Sequence, residues 1–253
     1  MVEALFWPAL LGYGEAAFAY ASPRTSRAAT WGVRIGWLAQ TALLIAQAAR
    51  ADGFPWSSWA GSLNLFVWFV VGAYLIWGCR PRFRLLGLAV MPLAAGLFVV
   101  ARLGGGTDAG ASSGYGNVFL VVHVGFVLAA FAGFTLAAAL SALYLLEERQ
   151  LKRRAASILR LRMPSLVVLE RVIAKTILVS WPLLTLGLAA GLVRLGEDGG
   201  SFDAAMSVAV LTWLVYGGFL VSRLRGRHAA YVALLGFALV IVVRIALAGS
   251  HFA

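Results

Sequence analysis

Histidine is the side chain in this sequence best suited to chemistry, and the 253 residues include three histidines. His123 lies in the segment NVFLVVHVGF, and His251 lies in the final segment LAGSHFA. Two neutral imidazoles that face each other can ligate a haem iron axially or hold another metal ion. The alternative for His123 is a polar residue at a membrane interface, and for His251 it is a frayed chain end. His228, in RLRGRHAAY, stands among arginines and is interpreted as part of a basic cluster.

One arginine could assist such a pair of histidines. Arg244 precedes His251 by seven residues, or about two helical turns, so both lie on one face if the helix continues. The Arg244 guanidinium could pair with a haem propionate. It could equally reach the lipid headgroups or pair with an acid such as Asp203.

Other polar residues within the apolar segments are given structural roles. Glu15 and Arg34 are predicted to form a buried ion pair across a short turn. Gln40 and Gln47 are also seven residues apart and therefore share a helix face. Hydrogen bonds to a neighbouring helix are predicted for both glutamines.

The composition indicates that lipid is the solvent of this chain. Hydrophobic residues make up 62% of the sequence and charged residues 12%, and the mean hydropathy is +0.88. A soluble domain is about half apolar and about a quarter charged. The single cysteine, Cys79, excludes an internal disulfide and an all-thiolate metal site. The P-loop, HExxH, GxSxG and dinucleotide motifs of soluble enzymes are absent, and the basic segments lack the features of a nucleic-acid surface.

Apolar segments long enough to cross a bilayer recur along the whole chain. They predict an all-α, polytopic transmembrane bundle that forms a single integral membrane domain over residues 1–253. The predicted helices lie near residues 2–21, 31–49, 59–79, 85–103, 117–146, 167–194, 204–222 and 230–249.

The orientation of the bundle follows from where the basic residues lie. Arginine and lysine concentrate in alternate connections, which are therefore predicted to be cytoplasmic, at 22–30, 80–84, 147–165 and 223–228. The remaining connections are acidic or neutral. With eight helices, both termini are then external, and His123 and His251 are predicted at the same outer face.

The second half of the chain resembles the cytochrome c assembly protein family, the CcsA/CcmC group of haem-handling membrane proteins, and especially its HemX-like branch. The resemblance is best over residues 117–253. It is carried by HVGFVLAAFAGFTLAAALSALYLL, LVVLERVIAKTILVSWPLLTLGLAAGLV, SFDAAMSVAVLTWLVYGGFLVSR and the terminal GSHF. In the first half, Asn64 falls at the position of a family asparagine.

The resemblance implies that His123 and His251 match the external histidine pair that ligates haem in the family. It places Asp203 and Trp213 in register with the family's tryptophan-rich haem-binding segment. Arg244, and with it Arg102 or Arg194, would then lie near the haem propionates. Phe202 replaces a motif tryptophan and Val221 replaces a histidine of some members, so an inner haem site is not expected.

Two functions follow from the resemblance. The first is a haem chaperone or accessory ligase subunit that binds or presents haem at the outer face, without autonomous catalytic activity. Its partners would be membrane lipid and other membrane proteins of a cytochrome c or haem pathway, in the bacterial plasma membrane with both termini periplasmic. The alternative is a HemX-like, non-catalytic regulator or structural subunit that need not bind haem. A small-solute transporter is a weaker third interpretation, because inverted repeats are not evident.

Overall fold

The described part of the chain folds into eight α-helices. The computed structural model describes residues 3–21, 26–51, 54–56, 58–77, 83–108, 118–152, 164–198, 204–222 and 224–250. A short 3-10 helix, Glu3–Leu5, precedes α1 (Phe6–Ala21), α2 (Ser26–Ala48), α3 (Trp59–Trp77), α4 (Arg84–Leu103), α5 (Val118–Lys152), α6 (Leu166–Asp198), α7 (Ala204–Ser222) and α8 (Gly226–Ser250). The predicted all-α helical bundle is confirmed.

Several helices extend beyond the predicted apolar segments, and these boundaries were predicted wrongly. The α5 helix continues to Lys152, six residues past the predicted end at 146, and α2 begins at Ser26 rather than at 31. The added residues include Glu147, Glu148, Arg149 and Arg27. Hydropathy marks where a helix leaves lipid, whereas the backbone stays helical wherever good helix formers follow.

Four helices of the described chain are long and apolar enough to cross a membrane by length and composition alone. These spans are Trp59–Ile76, Leu85–Leu103, Val121–Lys152 and Leu166–Val193. Two shorter apolar helical segments follow, Met206–Ser222 and Gly226–Val242. The chain is therefore an integral membrane protein, and the external placement of its termini stays a prediction.

The chain divides into two compact units, with the boundary inside α5. Unit 1 comprises Met1–Val124 and unit 2 comprises Gly125–Ala253. Unit 1 contains α1 to α4 and the start of α5, and unit 2 contains the rest of α5 with α6, α7 and α8. Whether residues 1–253 act as one membrane domain stays a prediction.

Glycines hold α1 close to α2 in unit 1. A methyl group at Gly12 would lie 2.7 Å from the carbonyl oxygen of Gly32 and 2.8 Å from Cα of Gly36. Small residues allow such backbone approach, on which helix association in lipid depends. On its other side, α1 contacts α4 through Phe6 and Phe98, whose ring centroids are 4.9 Å apart.

Aromatic stacking joins α5 and α7 in unit 2. The rings of Phe134 and Tyr216 are nearly parallel at 5°, with centroids 3.8 Å apart. The Tyr216 hydroxyl donates a hydrogen bond of 3.1 Å to the carbonyl oxygen of Ala233 on α8. In this way one fully buried tyrosine connects three helices.

Candidate functional site

The structure places His123 in the second turn of α5, with its side chain partly buried. Val127, one turn further on and on the same face, packs against α6. A methyl group at Gly187 of α6 would lie 2.7 Å from Cγ2 of Val127. The glycine therefore lets α6 approach α5 one turn beyond the histidine. A partly buried imidazole near the end of an apolar helix is chemically suited to hold a metal or haem iron.

The other predicted ligand and charged residues are only partly placed by the structure. His251 and Asp203 lie outside the described residues, and for Arg244 only its position on α8 is described. The α8 helix continues to Ser250, the residue before His251. Arg102 is bound elsewhere, because its Nη1 lies 2.6 Å from Oδ1 of Asp108.

Trp213, the remaining predicted site residue, is held by α6. Its ring stacks on Trp181 with centroids 5.1 Å apart. The Trp213 indole N–H donates to Oγ1 of Thr185 at 2.8 Å, and the Trp181 indole N–H donates to the Trp213 carbonyl oxygen at 3.1 Å. Both indole N–H groups, which need acceptors inside a membrane, are thus satisfied by the opposite helix.

Unit 1 contains the same arrangement between α2 and α3. Trp37 and Trp68 stack with centroids 5.2 Å apart. The Trp68 indole N–H donates to Oγ1 of Thr41 at 2.8 Å, and the Trp37 indole N–H donates to the Trp68 carbonyl oxygen at 3.1 Å. We call each such set of two tryptophans and one threonine a tryptophan clasp.

A glycine completes each clasp. Gly72 and Gly217 lie four residues after Trp68 and Trp213, respectively. A methyl group at either glycine would lie close to the facing indole nitrogen, at 3.2 Å from Trp37 and 3.1 Å from Trp181. The sequence pattern is therefore WxxxT on one helix and WxxxG on the next, present in both units. Sequence reasoning missed this signal, because Trp213 was interpreted through the family resemblance alone.

Buried amides form the most extensive polar network of the described residues. Gln40 Nε2 donates to Oδ1 of Asn64 at 2.9 Å, and Gln40 Oε1 accepts from the Tyr13 hydroxyl at 2.6 Å. Asn64 Nδ2 donates to the Gly106 carbonyl oxygen at 3.1 Å. Gln47 Nε2 donates to the same oxygen at 3.1 Å. The predicted interhelical hydrogen bonds of both glutamines are confirmed, for Gln47 by Asn64 Nδ2 of α3, which donates to its Oε1 at 3.3 Å.

This network secures the turn after α4. Gln47 Nε2 also donates to the Asp108 carbonyl oxygen at 3.1 Å, and its Oε1 accepts from the Trp56 indole at 3.2 Å. The Arg102 ion pair to Asp108 closes the same turn from outside. Gly105 adopts φ +79° within it, which favours glycine. The turn at residues 104–108 is thus fixed by side chains of α2, α3 and α4.

The predicted ion pair of Glu15 and Arg34 is wrong. Both side chains are exposed, and the Arg34 guanidinium lies 5.2 Å from the ring centroid of Trp31. A cation over an indole face one turn away costs less desolvation than a buried ion pair.

The described residues provide no preassembled metal centre. Among them, no group of three or more His, Cys, Asp or Glu side chains could hold a metal ion. The chemistry available at the described part of the predicted site is that of one imidazole, His123, and any haem site needs ligands from beyond it.

Comparison with known proteins gives a consistent result. The profile of the cytochrome C assembly protein family matches residues 56–248. The chain is 26% identical to the cytochrome c biogenesis protein CcsA of Gloeothece citriformis, over 83% of this chain and 81% of the relative. It is 29% identical to protein HemX of Brevibacillus brevis, over 76% of this chain and 72% of the relative. No solved structure matches the chain.

Proposed function

The chain belongs to the cytochrome C assembly protein family, and from that premise we propose that it binds haem and presents it to partner proteins at the outer face of the membrane. The observation that carries the proposal is the position of His123 near one end of a long apolar helix, partly buried. The match of the chain to proteins named for cytochrome c biogenesis supports haem as the cargo.

In this function, His123 and His251 each supply one neutral imidazole nitrogen to the haem iron. Arg244 pairs its guanidinium with a haem carboxylate, as its place on the helix that ends next to His251 allows. The chain holds and orients its cargo and carries out no bond-breaking step. Cytochrome c or haem pathway proteins in the same membrane are its partners.

Spectroscopy of the purified protein tests the proposal. We expect an absorption spectrum of six-coordinate haem iron, either on isolation or after haem is supplied. The variants His123→Ala and His251→Ala should each convert it to a five-coordinate spectrum and weaken haem binding, because each removes one axial nitrogen. His228→Ala is the matched control, since it removes an exposed histidine from the arginine-rich end of α8. Protein that stays colourless with added haem, or a His228 variant with the same effect, would overturn the proposal.

The similarity to HemX supports a second candidate, a non-catalytic regulator or structural subunit that need not bind haem. This function requires only the helical scaffold and its surfaces. The two candidates differ in the phenotype of the His123→Ala variant. If cells that carry this variant assemble cytochrome c normally while deletion of the gene does not permit assembly, the scaffold function is favoured.

A further inference from the structure

A groove at the arginine-rich end of unit 2 has the size and chemistry of a lipid site. It lies between α6, the end of α7 and the start of α8, and its volume is about 700 Å³. Ile173, Ala174, Phe219 and Leu220 provide its apolar lining. All three helices that form its walls belong to apolar helical segments. An occupant must therefore present an apolar portion to this surface.

Two arginines give the groove its charge. Arg171 of α6 and Arg225, just before α8, both line it and are both exposed. Within the part of the chain that the structure describes, neither has an ion pair or hydrogen bond. Arg227 differs, because its Nε lies 3.5 Å from a carboxylate oxygen of Glu148. Two unpaired guanidiniums beside an apolar wall favour an amphipathic anion.

An acidic side chain of the groove already accepts a hydrogen bond from the backbone. Glu170 lines the groove, and its carboxylate accepts the N–H of Gly226. Gly226 has φ +65°, so a glycine is favoured at this bend into α8. The Glu170 contact thereby fixes the backbone next to Arg225. Two guanidiniums against one carboxylate leave the groove with net positive charge.

The depth of the groove matches that of a lipid headgroup. The apolar span of α6 begins at Leu166, and Arg171 lies five residues into it. At roughly 1.5 Å per residue this is about 7–8 Å along the helix. A side chain as long as arginine reaches from there to the phosphate level.

We propose that this groove binds one anionic phospholipid. Arg171 and Arg225 hold the phosphate group, and an acyl chain lies along Ile173, Ala174 and Leu220. The arginine-rich end is predicted to be cytoplasmic, and the cytoplasmic leaflet is the one that carries anionic lipid. The proposal does not depend on haem binding.

Native mass spectrometry of the full chain, with added phosphatidylglycerol or phosphatidylcholine of identical acyl chains, tests it. We expect one phosphatidylglycerol to bind about tenfold or more tightly than phosphatidylcholine, because both lipids carry the phosphate but the choline cation of phosphatidylcholine repels the two guanidiniums. The double variant R171Q/R225Q should bind both lipids equally. Arg149→Gln is the matched control, because it removes a charge from the exposed end of α5, outside the groove lining.

A second variant tests the apolar wall without changing any charge. Ala174→Phe fills the groove and should weaken phosphatidylglycerol binding about tenfold, even if the double arginine variant fails to fold. The proposal is overturned if R149Q weakens binding as much as R171Q/R225Q, since the effect would then be general surface charge. It is also overturned if A174F leaves phosphatidylglycerol binding unchanged.

Discussion

At the scale of single residues, the strongest constraints in unit 1 come from three amides. Gln40, Gln47 and Asn64 are buried and together bond to Tyr13, Trp56 and the turn at Gly106. Lipid provides no alternative partner for an amide, so each bond lost leaves an unsatisfied group. These residues fix which faces of α1, α2 and α3 meet.

Replacing Asn64 with leucine should therefore destabilise the protein. The variant keeps the side-chain volume but removes one of the two acceptors of Gln40 Nε2, the other being the backbone carbonyl of Asn64, and one donor to the Gly106 carbonyl. We expect a loss of about 1–2 kcal/mol in the free energy of unfolding. Titration with denaturing detergent in mixed micelles measures this value.

Gln150→Leu is the matched control for that experiment. It removes an amide whose buried Oε1 has no hydrogen-bond partner among the described residues, so its effect should be close to zero. Equal losses for the two variants would show that the hydrogen bonds of Asn64 contribute nothing specific.

The residue scale also shows what could be predicted from sequence. The seven-residue spacing of Gln40 and Gln47 placed both on one helix face, and helical geometry made that prediction correct. The partner of Arg34 could not be predicted in the same way. It depended on the rotamer that lays the guanidinium on Trp31 rather than on the position of any acid. His123 was identified from the sequence, whereas the close approach of α6 to α5 at Val127 depends on Gly187, far along the chain.

At the scale of elements, the same helix-to-helix connection, the tryptophan clasp, occurs once within each unit. Each threonine hydroxyl accepts from one tryptophan and donates to the carbonyl of the other, at 2.7 Å for Thr41 and 3.0 Å for Thr185. The stacked rings are those of Trp37 and Trp68 in unit 1, and those of Trp181 and Trp213 in unit 2. No local pattern joins residues so distant in sequence, so the clasps became visible only once the helices were packed.

Thr185→Val and Thr41→Val should destabilise the protein by similar amounts. Each variant preserves side-chain shape and removes the acceptor of one indole N–H, at a cost of about 1 kcal/mol. Thr212→Val provides the control, because the Thr212 hydroxyl donates to Val208 of its own helix and is not part of a clasp. Tryptophan fluorescence during detergent unfolding gives the three values. A Thr212 variant as damaging as the others would contradict the role assigned to the clasps.

The close approach of α1 to α2 at Gly12 gives a second prediction at the scale of elements. Gly12→Ala should cost about 1–3 kcal/mol, because the new methyl group would press on the backbone of α2. Gly14→Ala, two residues away, places its methyl group in open space and should be neutral or stabilising by up to about 1 kcal/mol. The same unfolding titration compares them, and indistinguishable values would show that α1 can shift away from α2 freely.

At the scale of the whole molecule, the eight helices of the described residues and the distribution of arginine predict the topology. Basic residues concentrate after the ends of α1, α3, α5 and α7, whereas few of them lie in the other connections. The positive-inside rule assigns the basic ends to the cytoplasm. The two histidines of the proposed site are external only if this orientation holds, so topology is a premise of the function.

Cysteine labelling tests that premise with the native residue as an internal reference. Cys79, the single cysteine, lies next to a connection predicted to be cytoplasmic, so a membrane-impermeant maleimide should not reach it in intact spheroplasts. In a Cys79→Ser background, the variant Ala253→Cys should be labelled from outside, because an even number of crossings returns the chain to its starting side. Ala155→Cys, in the basic connection, should be labelled only after the membrane is permeabilised.

External labelling of position 155 but not of 253 would invert the bundle and place His251 on the cytoplasmic side. Haem presentation by His251 at the outer face would then be excluded, while the hydrogen-bonded framework of both units would be unaffected.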